Sequence, residues 1–145
     1  MQDAGKLSAR AWWVLLGGWL IALVSSLGSL VFSETLNFEP CVLCWHQRIA
    51  MFPLVVILAQ GLYTQDRQCV KYALPLAFAG GLLALYHCLL YGGFIPKGMQ
   101  PCGKGVSCAD QKLELAGFIT IPLLSLVAFT LIILILLAIK KDLTK

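Results

Sequence analysis

Charged side chains are scarce in this sequence. Only 12% of its 145 residues are Asp, Glu, Lys or Arg, about half the roughly 25% of a soluble domain. So little charge leaves a water-facing surface poorly solvated and points to a bilayer as the solvent. Basic residues form no patch: the formal net charge of +4 is scattered along the chain, which argues against a nucleic-acid partner. Six cysteines are too few for a disulfide scaffold. There is no internal repeat and no low-complexity tract.

What is present is apolar length. Hydrophobic residues make up 59% of the chain, mean hydropathy is +0.84, and the length suits one compact membrane domain over 1–145. Ala11 to Phe32 is apolar apart from Gly and Ser, enough to cross a hydrocarbon core, which takes about 20 helical residues. A signal peptide is the competing reading. Its apolar core runs only about 7–15 residues and ends in a small-residue cleavage site, which Leu30-Val31-Phe32-Ser33-Glu34 does not offer.

Three more spans follow, at about 41–63, 70–91 and 117–139, the last without any charge. Pro75 and Pro122 fall inside two of them, where neighbouring helices can resatisfy a freed backbone group. The connections at 33–40 and 92–116 lie on one side, and the second is Gly/Pro-rich, a turn-forming composition. The expected fold is therefore an all-α integral membrane protein, a four-helix transmembrane bundle.

Four spans put both termini on one side. That side collects Lys6, Arg10, Arg67, Lys71, Lys140, Lys141 and Lys145, against Arg48, Lys97, Lys104 and Lys112 opposite. The positive-inside rule then places both termini in the cytoplasm. Cys41, Cys44, Cys102 and Cys108 fall on the outer side, where disulfides persist.

The chemistry gathers at Pro40-Cys41-Val42-Leu43-Cys44-Trp45-His46-Gln47-Arg48. Cys41 and Cys44, three apart, share a helix face. Pro40 suits a helix start, which would put Cys41 in the first turn, where unpaired N–H groups and the helix dipole favour a thiolate. Zinc sites share this spacing and need four ligands, which Cys102 and Cys108 could complete. C-type haem attachment needs His directly after the second Cys, and Trp45 stands there.

Arg48 lies one turn deeper on the Cys44 face. A charge at mid-span costs about 2.5–3.5 kcal/mol; nearer the interface the side chain can snorkel. It is therefore either an interfacial anchor or a cationic partner for an acceptor beside Cys44. A quinone fits the second reading, because its oxygens gain negative charge on reduction. Cys102 and Cys108 are close enough for a disulfide, structural or exchangeable. His87 and Gln47 are either interhelical polar contacts or part of the site. Cys69 and Cys88 read as small buried hydrophobes, and Trp12, Trp13 and Trp45 as interfacial aromatics.

The run Cys41-Val42-Leu43-Cys44-Trp45-His46-Gln47-Arg48, with Tyr86-His87 and the stretch from Gly117 to Pro122, resembles the bacterial disulfide bond formation protein B family (DsbB), in its short-loop, BdbC-like form. The resemblance covers the whole chain. It implies that a DsbA-like thioredoxin-fold oxidase outside the cytoplasm delivers electrons to Cys102–Cys108, which pass to Cys41–Cys44. Cys41 would be the exchanging sulfur and Cys44 the one facing a quinone, ubiquinone or menaquinone. Arg48 would hold that quinone, with His87 and Gln47 beside it, in a bacterial inner membrane. Two alternatives stand: a quinone reductase of the vitamin K epoxide reductase type, whose C-x-x-C lies late in the bundle rather than opening the second span, and a non-enzymatic metal-binding or assembly module built on the four outer cysteines.

Overall fold

The computed structural model describes residues 6–35, 37, 40–96 and 120–142. Its elements are four helices: α1 (Ala9–Glu34), α2 (Val42–Thr64), α3 (Gln68–Tyr91) and α4 (Ile121–Asp142). Each is long and apolar enough to cross a membrane, which bears out the all-α, four-span expectation. Cys102 and Cys108 lie outside the described residues.

Local chemistry sets the helix ends. The Ser8 hydroxyl accepts from the Ala11 amide at 3.2 Å and caps α1, satisfying one of the donors a helix start leaves unpaired. At α2 the cap is Cys41 itself. Its backbone is extended (φ −68°, ψ 166°) and its sulfur accepts from the Cys44 amide at 3.4 Å. Cys41 thus stands ahead of the first turn, not within it, and Pro40 precedes the cap. The helix α4 opens at Ile121, four residues after the expected start, and Thr120 is non-helical. This puts Pro122 in the first turn, where its missing N–H breaks no helical bond.

The link between α2 and α3 is tight. Gln65 takes a left-handed conformation (φ 51°) and its amide closes onto the Gly61 carbonyl. The residues ahead of α1 are tied to this link: Leu7 donates to the Gln65 carbonyl at 2.9 Å, Lys6 bridges Asp66, and Arg67 donates to the Lys6 carbonyl.

The helices form a ring in which α1 touches α2 and α4, and α3 touches the same two. Core layers are built from Leu15, Leu54, Leu58, Phe129, Ile132 and Leu136, all buried. Small residues allow close approach: Ala73, Ala77, Gly80 and Ala84 line the inner face of α3, as is common between membrane helices. Phe129 fills the space at Gly80, where an added β-carbon would stand 2.2 Å from the ring. Trp13, Val24, Val56 and Leu82 remain exposed on the outside, an apolar rim suited to lipid.

Two polar ends result. Lys6, Arg67, Lys140 and Lys141 belong to the end where α1 begins and α4 stops. Cys41, Cys44 and His87 belong to the other end.

Candidate redox site

The Sγ atoms of Cys41 and Cys44 are 3.1 Å apart, because the helix start brings residues three apart onto one face. Cys41 is buried, while Cys44 is partly exposed. Behind Cys41, His87 of α3 places Nε2 3.8 Å from the sulfur. With Cys41 ionised, the Cys44 thiol is its nearest donor and pulls Cys41 well below the ordinary thiol range. Burial opposes this, and His87 and the Cys44 amide add to it. These surroundings favour the thiolate, the form that attacks and leaves in disulfide exchange.

The donor atoms of Cys41, Cys44 and His87 all lie within 4.8 Å of one another. At 3.1 Å the two sulfurs stand closer than ligands of one ion would. Tetrahedral bonds of about 2.3 Å would hold them roughly 3.7 Å apart. Their spacing suits a pair that makes and breaks an S–S bond, about 2.05 Å long when formed.

Gln47 is buried between three helices. Its Oε1 accepts from the Ser125 hydroxyl of α4 at 2.7 Å, and its Nε2 lies 3.2 Å from His87 Nδ1. Ser125 has no signature in the sequence: it is one hydroxyl in an apolar span, and only the rotation of α4 about its axis brings it to Gln47.

Arg48 reaches across to α1. Its Nη2 donates to the Ser29 carbonyl and to the Ser33 hydroxyl, and its guanidinium carbon lies 5.6 Å from the centre of the Trp45 ring. Both bonds use one nitrogen of a group with five N–H donors, so the fork is anchored with donors to spare. Neither Ser29 nor Ser33 stands out in the sequence, since serines in an apolar stretch commonly bond their own helix, as Ser33 also does to Ser29.

A half-open groove of about 600 Å³ runs between α1, α2 and α4. Its walls are almost wholly apolar, including Ile21, Val24 and Phe32. Cys44, Gln47, Arg48 and Ser125 are among the few polar groups on them. Neither Cys41 nor His87 belongs to these walls: His87 sits behind Gln47, against Cys41, rather than beside a groove ligand. The pair thus has two sides, with Cys44 on the groove and Cys41 turned toward α3.

The chain is similar to known proteins along most of its length. The family model described as "Disulfide bond formation protein DsbB" matches residues 9–139. A "Probable disulfide formation protein" of Metapseudomonas resinovorans is 45% identical over 138 residues, covering 94% of this chain and 96% of the relative. "Disulfide bond formation protein C" of Bacillus subtilis is 45% identical over 130 residues, covering 88% and 93%. No solved structure matches.

Proposed function

Because the chain belongs to the DsbB family, and so is a disulfide-forming oxidoreductase of the membrane, we propose that it reoxidises an extracytoplasmic thioredoxin-fold dithiol oxidase of the DsbA kind and passes the electrons to a membrane quinone. One observation carries this reading: Cys44 opens with Arg48 onto an apolar groove between helices, while its partner Cys41 faces away from it. A thiol pair serving two water-borne substrates would have no use for an apolar groove at one of its sulfurs.

The steps balance as follows. An incoming thiolate attacks Cys41, the Cys41–Cys44 bond breaks, and its electron pair leaves on Cys44. The second incoming thiol then attacks its own neighbour, releasing a disulfide and leaving Cys41 as a thiolate. By family resemblance the incoming pair is Cys102 and Cys108, reloaded by the partner oxidase. A quinone held beside Cys44 and Arg48 would supply the oxidant: the two electrons would leave the pair as the Cys41–Cys44 bond reforms, and the two protons would be those given up by the incoming thiols. Arg48, held by Ser29 and Ser33, offers positive charge where the acceptor oxygen becomes negative. The apolar walls keep water from this charge pair. The site belongs on the outer face of a bacterial cytoplasmic membrane, a reading supported by the basic residues at the opposite end of the bundle.

The test supplies a reduced thioredoxin-fold dithiol protein with a short-chain ubiquinone or menaquinone analogue and follows quinone absorbance. Thiol-dependent quinone reduction that disappears in Cys44→Ser supports the proposal. Unchanged turnover in Cys44→Ser, or stoichiometric tightly bound metal with no quinone reduction, ends it.

A further inference from the structure

Three hydrogen-bonding side chains from three helices meet behind Cys41, and the contacts among them assign the protons. The Ser125 hydroxyl bonds Gln47 Oε1 at 2.7 Å. An amide whose oxygen is thus engaged presents its NH₂ on the other side, and Gln47 Nε2 is 3.2 Å from His87 Nδ1. An amide nitrogen only donates, so Nδ1 must accept. A neutral imidazole that accepts at one nitrogen carries its proton on the other. That other nitrogen, Nε2, is the one 3.8 Å from the Cys41 sulfur. His87 and Gln47 are both buried and Ser125 is half-buried, so water does not readily take the place of the amide or the imidazole.

We propose that Ser125 is a positioning residue for disulfide exchange: by orienting the Gln47 amide it holds His87 in the tautomer whose Nε2–H donates to the Cys41 sulfur. The donation matters when the bond between Cys41 and an incoming sulfur breaks and its electron pair stays on Cys41. No proton need transfer; the thiolate is held by a fixed donor in a buried place, where an unpaired charge is costly. Reversal of the Gln47 amide would oppose two donors at Ser125 unless its hydroxyl turned, and would put an acceptor against Nδ1. The imidazole proton would then move to Nδ1, leaving a lone pair facing the thiolate. Among the described residues, the titratable groups beside Cys41 are Cys44 of α2 and His87 of α3, with Tyr86 of α3 packed against the same small cluster. Ser125 and Gln47 also stand on the groove wall, so the network joins the acceptor side of the site to the exchanging sulfur. The assignment of a role in exchange rests on the proposed thiol–disulfide relay, but the tautomer does not.

The chain has two histidines, which makes the test direct. His46 bonds the Val42 carbonyl through Nδ1 at 2.7 Å, so it carries its proton on Nδ1, opposite to His87. Nitrogen NMR of ¹⁵N-histidine-labelled, reduced, quinone-free protein should show one imidazole of each tautomer, assigned with His46→Gln. Ser125→Ala should convert the His87 signal to the other tautomer or a mixture. It should also raise the midpoint of thiolate absorbance on pH titration by about one unit, a tenfold change in ionisation. Ser125→Thr, which keeps the hydroxyl, should restore both. A His87 proton on Nδ1 in the unaltered protein overturns the proposal. So does a Ser125→Ala protein, folded by its melting curve, with tautomer and midpoint unchanged. Since no quinone or partner takes part, failure of the quinone reading would leave these signals as they are.

Discussion

Arg48 of α2 donates to the backbone carbonyl of Ser29 in α1. A guanidinium that would otherwise swing toward the membrane surface is thereby fixed beside Cys44, at the wall of an apolar groove. The neighbouring bond to Ser33 adds a second fixed point, and two points define the plane of the fork.

Arg48→Lys should therefore weaken use of the acceptor, because an ammonium held by the same two partners keeps one donor and has no planar fork to present. The expected outcome is a rise of about tenfold in the KM for quinone, the effect of losing one hydrogen bond to a charged group at ~1.5 kcal/mol. Ser33→Ala should raise the same KM less. Measuring initial rates against quinone concentration checks both, and an unchanged KM in Arg48→Lys contradicts the assignment.

The lowered Cys41 thiol has a consequence for potential. Above its folded ionisation point Cys41 is a thiolate in the reduced pair, so reduction takes up one proton for two electrons rather than two. The potential of the Cys41–Cys44 couple should then fall by about 30 mV per pH unit near neutrality, half the slope of an ordinary dithiol. Below that ionisation point the second proton is taken up and the steeper slope returns. Equilibration with thiol redox buffers from pH 6 to 8, using protein whose Cys102 and Cys108 are replaced by Ser, measures it.

Phe129 occupies the space left by Gly80. Gly80→Ala places a β-carbon 2.2 Å from the ring, so α3 and α4 must separate, with an expected loss of about 1–3 kcal/mol. Gly17→Ala, which meets nothing within 4 Å inside α1, should instead leave stability unchanged or raise it by up to about 1 kcal/mol, through the better helix preference of alanine. Thermal unfolding in detergent compares the two.

At the far end of the bundle, Cys69 is buried against Gly61. Cys69→Ala should leave thiol-dependent quinone reduction unchanged, because this sulfur packs rather than exchanges. Gly61→Ala should destabilise the fold, since its β-carbon would lie 2.3 Å from the Cys69 sulfur. A quinone assay beside a melting curve separates these outcomes.

Local information was enough for the spans and for the position of the thiol pair. Scarce charge and long apolar runs define membrane helices whatever their neighbours, and a three-residue spacing puts Cys41 and Cys44 on one helix face. Even so, the helix ends needed the structure: Cys41 caps α2 from outside the first turn, and Pro122 begins α4 rather than interrupting it. What the sequence could not determine is rotation about each helix axis. These spans are apolar on every side, so periodicity does not distinguish the inward face from the lipid face. Close packing decides it, as Phe129 enters the gap at Gly80 and α4 turns Ser125 toward Gln47. The motif opening the second span was therefore legible as a thiol pair with a nearby cation. Only the packed bundle gave Cys44 a groove, Cys41 a histidine, and Arg48 its hold on the neighbouring helix.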